Sequence, residues 1–129
     1  MKIMKIMIKA LSVNSAWKGQ RFKTKAYKDY EQELLLLLPK YNIPEGKLKA
    51  YYIFGLSSKN ADGDNCIKQF QDIVAKKYGF NDKVIYKWDI EKVDVLKGEE
   101  FIEFKFESYE ANTTKNKKTN KIQRVNFRW

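Results

Sequence analysis

Leu48-Lys-Ala-Tyr-Tyr-Ile-Phe-Gly-Leu56, a polar loop, and then the run from Asp64 to Tyr78 closed by Gly79 decide how this chain folds. The first nine residues are apolar and rich in aromatics, and they read as a strand. From Asp64 onward, Ile67, Phe70, Ile73, Val74 and Tyr78 recur at spacings of three and four, which predicts a helix with one apolar face. Gly79 stands where a C′ glycine stops a helix. Lys83 to Val93 reads as the next strand.

Working outward toward the N-terminus, Asn42 to Gly46 is a turn, and Pro39 ends an earlier helix. Thr24 caps that helix. It runs to about Leu38, with Tyr27, Tyr30, Leu34, Leu37 and Leu38 on one face. The run Leu34–Leu38 is apolar all round, which predicts deep burial. Residues 12–20 form a loop around Trp17, and residues 3–11 alternate as a strand. Toward the C-terminus, Glu99 to Tyr109 is a strand with Phe104 and Phe106 on one face. Gly98 supplies a turn, so this strand is expected to form a hairpin with the one before it. Residues 110–121 are polar and expected to be mobile; Val125, Phe127 and Trp129 alternate like a last edge strand. The predicted fold class is α+β: one domain over residues 1–129, in β-α-β-α-β-β order. A mixed sheet packs against two helices, and a basic, mobile segment follows from about 110 to 129.

Charge narrows the partner. The chain has 26 Lys and Arg against 16 Asp and Glu, a net charge of +10. Residues 1–28 carry eight basic side chains and residues 112–129 carry six, with no acid in either stretch. The middle of the chain is therefore acidic. Basic ends suit a polyanion such as nucleic acid, held by counterion release; an acidic centre suits a metal. Solvated tails without a partner would show the same ends.

There is no histidine and one cysteine, Cys66. That removes imidazole catalysis and His-ligated zinc, so a metal here takes oxygen ligands, as Mg²⁺, Mn²⁺ or Ca²⁺ do. Lysines interrupt the apolar N-terminus every second or third residue. No membrane span is predicted, and the expected location is the cytoplasm.

The stretch Asp62-Gly63-Asp64-Asn65-Cys66-Ile67-Lys68 holds the candidate site, with Asn81-Asp82 fourteen residues on. Gly63 lets the loop turn tightly enough for two carboxylates to converge, and converging carboxylates call for a cation between them. Lys68 lies one helical turn beyond Asp64, and Asp72 continues the row. An ordinary solvated face with i,i+4 ion pairs, or Asp64 as a plain N-cap, would give the same letters singly. A helix of fifteen residues spans about 22 Å, so Asp82 cannot join Asp62 across a straight helix. Either the chain folds back after Gly79, or a second subunit supplies one partner.

These residues resemble the RusA family of Holliday junction resolvases. The family pattern Asp-x-Asp-Asn-x-x-Lys, a later Asp in the helix, then an aromatic residue and an acidic turn into a strand is matched by Asp62, Asp64, Asn65, Lys68, Asp72, Phe80 and Asp82. Asn81 departs from it where many members carry a second acid. The match is close from about Ser57 to Glu91 and loose in the N-terminal third, at Asn14 and Trp17.

The resemblance implies a homodimer that nicks four-way DNA junctions in pairs, in recombination and repair, in a bacterial or phage-infected cell. Asp62, Asp64 and Asp82 would hold Mg²⁺, with Mn²⁺ as a substitute, and Lys68 would be the essential lysine. Branched DNA would meet Asn14, Trp17, Lys18, Arg21, Lys23, Lys59 and Asn65. No small-molecule cofactor and no membrane partner are expected. Mg²⁺ suits a histidine-free site, because it activates water and stabilises developing charge. The rival reading is a non-enzymatic basic nucleic-acid-binding protein of phage origin, stacking bases on some of its aromatic residues.

Overall fold

The computed structural model describes residues 3–12, 17–18, 22–58 and 66–110, the backbone alone at 17, 18 and 22. The elements are β1 (Met4–Ile6), β2 (Trp17–Lys18), β3 (Phe22–Lys23), α1 (Lys25–Leu37), β4 (Leu48–Leu56), α2 (Ile67–Tyr78), a 3₁₀ turn (Asp82–Val84), β5 (Ile85–Asp94) and β6 (Phe101–Ser108). They form a small α+β domain in which two helices cover one face of a mixed sheet ordered β1-β6-β4-β5. The predicted order holds, with one addition: Trp17 pairs with Lys23 and Lys18 with Phe22 in a short ladder inside the expected loop. Among the described residues no helix is long and apolar enough to cross a membrane. The C-terminal segment from 111 onward lies outside the described residues.

Alternation fixes the layers. Leu48, Ala50, Tyr52, Phe54 and Leu56 of β4 and Ile102, Phe104 and Phe106 of β6 are buried beneath the helices. Their odd-numbered neighbours, among them Lys49, Tyr51, Ile53, Glu103, Lys105 and Glu107, lie on the opposite face and are only half-buried. At Gly55 the absent side chain is replaced by the ring of Phe101; a Cβ there would lie 2.3 Å from that ring.

The expected β5–β6 hairpin does not form. β4 runs parallel to β5 along one edge and antiparallel to β6 along the other, and β6 continues outward to β1. Residues 95–100 therefore cross the end of β4, where the Val95 amide donates to the Leu56 carbonyl at 3.0 Å. The burial pattern explains the choice. β4 is the most apolar strand and needs partners for its backbone on both edges. β5 carries Lys87, Asp89, Glu91, Lys92 and Asp94, and charged side chains let a strand stand at an open edge.

Thr24 does cap α1, its hydroxyl accepting from the Tyr27 amide at 3.1 Å. The buried stripe is Tyr27, Tyr30, Leu34 and Leu38. Deep burial of the whole Leu34–Leu38 run is corrected: Leu36 is 82% exposed and Leu37 45%. A helix laid on a sheet buries one stripe; Leu36, two residues beyond Leu34, faces away from it, and Leu37 lies at its margin in the last position of the helix. Gly79 ends α2 in the left-handed region, at φ 74 and ψ 39, as its position predicted.

Leu34→Ala should cost about 2–5 kcal/mol in urea unfolding, whereas Leu36→Ala should stay within about 0.5 kcal/mol. Equal losses would contradict the observed rotation of α1.

Candidate functional site

The Asp-x-Asp stretch joins the C-terminal end of β4 to the first turn of α2. In open α/β arrangements ligands gather outside the carboxyl ends of parallel strands, so this is where a functional loop belongs. Asp62, Asp64 and Asn65 lie outside the described residues, as do Asn14, Arg21 and Lys59. Trp17 and Lys18 are described by their backbone in β2.

The exit from β4 is held on its described side. The Ser57 hydroxyl donates to a Glu100 carboxylate oxygen at 2.6 Å, and the Gly98 amide donates to the other oxygen at 2.9 Å. The Ser57 hydrogen bond, above all, holds the Glu100 carboxyl below its ordinary pKa, helped by backbone amides and by Lys9. The connection that crosses β4 thus clamps the strand where the candidate loop leaves it.

Lys68 is on the first turn of α2, two-thirds exposed, with its ammonium 3.5 Å from an Asp72 carboxylate oxygen. The predicted polar stripe on α2 is present for this pair. Asp72 also faces α1, where it is the second cause, after burial, of a Tyr27 pKa pushed up to about 12, with Glu31 the third. Lys23 lies 4.8 Å from the Tyr27 ring centroid and 3.9 Å from Glu31, on the flank of α1.

Asp82 opens the 3₁₀ turn, half-buried, with Asn81 capping it through its side chain to the Lys83 amide at 2.9 Å. The chain turns after Gly79, where the Phe80 amide returns to the Ala75 carbonyl, but this turn does not bring Asp82 to the Asp-x-Asp stretch: Leu48 pairs with Ile85, so Asp82 lies at the end where β4 begins, opposite the end from which that stretch leaves. The buried Tyr52 hydroxyl has its pKa raised first by burial and then by the charge of the Asp82 carboxylate. Tyr52 donates to Gln71 Oε1 at 2.7 Å, and the Trp88 indole donates to the same oxygen at 2.9 Å. Among the described residues no three Asp, Glu or Cys side chains form a group able to hold a metal.

The sequence reading missed the Tyr52–Gln71–Trp88 cluster. Gln71 had the only available signal, a polar residue placed next to the apolar stripe of α2. Gln69 is buried as well, donating to the Leu11 carbonyl at 2.7 Å, and ties α2 to the segment after β1.

Two outcomes follow from these contacts. Gln71→Leu should cost roughly 1–3 kcal/mol, because it takes the acceptor from the buried Tyr52 hydroxyl; adding Tyr52→Phe should recover part of the loss in a double-mutant cycle. Alkaline titration should also weaken the fold. Tyr27 and Tyr78, the latter through burial and then Tyr41, are raised from 10.0 to about 12. The unfolded chain loses these protons first, so stability should be constant up to about pH 9 and fall from pH 10 to 12 in melting experiments. Compared with models of known protein families and with curated proteins, the chain matches none.

Proposed function

We propose that this protein is a Mg²⁺-dependent, structure-selective DNA endonuclease similar to the RusA resolvases, cutting four-way junctions in pairs as a homodimer. The observation that carries the reading is the Asp62-Gly63-Asp64-Asn65-x-x-Lys68 motif between a parallel strand's C-terminal end and a helical turn that exposes Lys68. Such a place gives carboxylates on a loop and a lysine on a rigid helix access to a phosphate from solvent.

The donor chemistry fits the metal. Asp62, Asp64 and Asp82 are hard oxygen donors, and the chain has no histidine, so Mg²⁺ is better suited than zinc. Bound there, Mg²⁺ would supply a Lewis acid and a water of lowered pKa. Asp62 and Asp64 would hold the ion at the loop. Asp82, in the turn before β5 at the opposite end of β4, would approach from a second subunit. Lys68, held by Asp72 in the free protein, is exposed enough to swing onto the scissile phosphate and offset the charge that develops there. Two copies related by a two-fold axis would present two such sites to a two-fold junction. The basic stretches at both ends of the chain would hold backbone phosphates, which read shape rather than sequence.

The test is incubation of the purified chain with a labelled four-way junction, in Mg²⁺ and in EDTA, beside a linear duplex of the same sequence. Paired, ligatable nicks in the junction alone, lost in EDTA, are expected. Asp62→Asn, Asp64→Asn and Asp82→Asn should each reduce cutting at least 10²-fold while junction binding persists. Full activity in any one of them would remove that residue from the site, and junction binding without any cleavage in Mg²⁺ or Mn²⁺ would overturn the nuclease reading.

A further inference from the structure

The sheet face turned away from the helices carries a second cluster, at the end where β4 and β5 begin. Leu48 pairs with Ile85 and Lys49 with Lys87, which leaves Tyr86 as an extra residue with no partner across the strands. Its ring is 53% exposed. It stacks on Tyr109 with centroids 5.9 Å apart and planes 16° from parallel, and the Lys47 ammonium lies 5.0 Å from its centroid. The Tyr109 amide donates to the Lys47 carbonyl at 2.8 Å, which fixes the pair to the end of β4. One step along the same face is Tyr51, with the Lys49 and Lys105 ammonium groups 4.6 and 4.3 Å from its centroid.

Lys105 is ion-paired with Glu107, whereas Lys47, Lys49 and Lys87 have no counterion among the described residues. Lys49 and Lys87 stand directly opposite each other, an arrangement that like charges disfavour. Of the nearby acids, Glu107 is already engaged by Lys105 and by the Tyr51 hydroxyl, each at 3.0 Å. Asp89, opposite Tyr51 on β5, is the one other carboxylate in these rows. Surface lysines alone serve solubility. Solubility does not account for a pair of exposed, stacked tyrosines at a register shift, set among lysines that repel one another.

We propose that this part of the sheet is a platform for single-stranded DNA. Unpaired bases stack on Tyr86 and Tyr109, and phosphates lie between Lys47, Lys49 and Lys87. Bases inside a duplex are already stacked on their neighbours and cannot use such rings, whereas unpaired bases can. The platform rests on the reading of this protein as a DNA-binding one, but it needs no nuclease activity.

The test uses the full chain in EDTA and a fluorescein-labelled oligothymidylate of about a dozen nucleotides, followed by anisotropy. Tyr86→Ala should weaken binding about tenfold, the loss expected for one stacked base, and Tyr86→Trp should retain it. Lys49→Ala with Lys87→Ala should lower the slope of log affinity against log salt by about 1.4, for two lost phosphate contacts on a single strand. Thermal melts of these exposed-site variants should match the parent. The platform is overturned if the parent binds no oligothymidylate, if Tyr86→Ala binds as the parent does, if Tyr86→Trp loses as much as Tyr86→Ala, or if unlabelled duplex competes as well as single strand. Junction cleavage in Mg²⁺, run on the same proteins, separates the two readings. Loss of oligothymidylate binding in Tyr86→Ala without any parental cleavage leaves the platform standing and removes the nuclease; parental cleavage with unchanged Tyr86→Ala binding does the reverse.

Discussion

Phe70 holds the molecule's layers together. From the middle of α2 its ring meets Tyr52 at 5.3 Å and Phe54 at 6.0 Å, both nearly perpendicular, and Phe104 of β6 at 5.7 Å. Edge-to-face pairs of this kind add about 0.5–1.5 kcal/mol each beyond the area they bury. Phe106 and Tyr41 extend the packing toward the link between α1 and β4. Because the ladders fix the strands, seating Phe70 on two of them fixes where α2 lies and where its first turn begins. The position of Lys68, and of the chain that leads into it, depends on that contact.

The same seating puts polar groups where apolar ones would be expected. Gln71 sits one residue beyond Phe70 and accepts from both Tyr52 and Trp88. A buried amide with well-placed donors orients its neighbours as no aliphatic side chain can. It links α2, β4 and β5. At the far end of β4, Glu100 gathers Ser57 and the Gly98 amide, so the crossing connection doubles as a clamp on the strand's exit. The β4–α2–β5 unit is thus held by hydrogen bonds at its middle and at the exit of β4, while the chemistry proposed for it rests on the stretch between β4 and α2.

Sheet asymmetry divides the remaining roles. One face is closed by two helices and filled with rings; the other alternates lysine, carboxylate and aromatic side chains in the open. At the Tyr86 end this charged, half-buried face carries aromatic surface and lysines that, among the described residues, form no ion pair.

Local pattern determined the elements. The limits of β4, a helix from about Asp64 ending at Tyr78 (observed over Ile67–Tyr78), the Thr24 cap, the Gly79 stop and the α+β order were legible, because each depends on residues a few positions apart. The motif from Asp62 to Lys68 was legible for the same reason. Tertiary structure alone decided which strands are neighbours. Gly98 marked a turn, but a turn does not say whether the chain reverses onto its own strand or crosses another, and the demand of apolar β4 for two partners settled it. Leu36 and Leu37 looked buried until the angle of α1 on the sheet set a single stripe. The β4–β5 register that sets Asp82 at the start of β4, the Gln71 contacts and the Tyr86–Tyr109 stack all join residues far apart in the chain. Their pairing is an outcome of packing, and no window of sequence contains it.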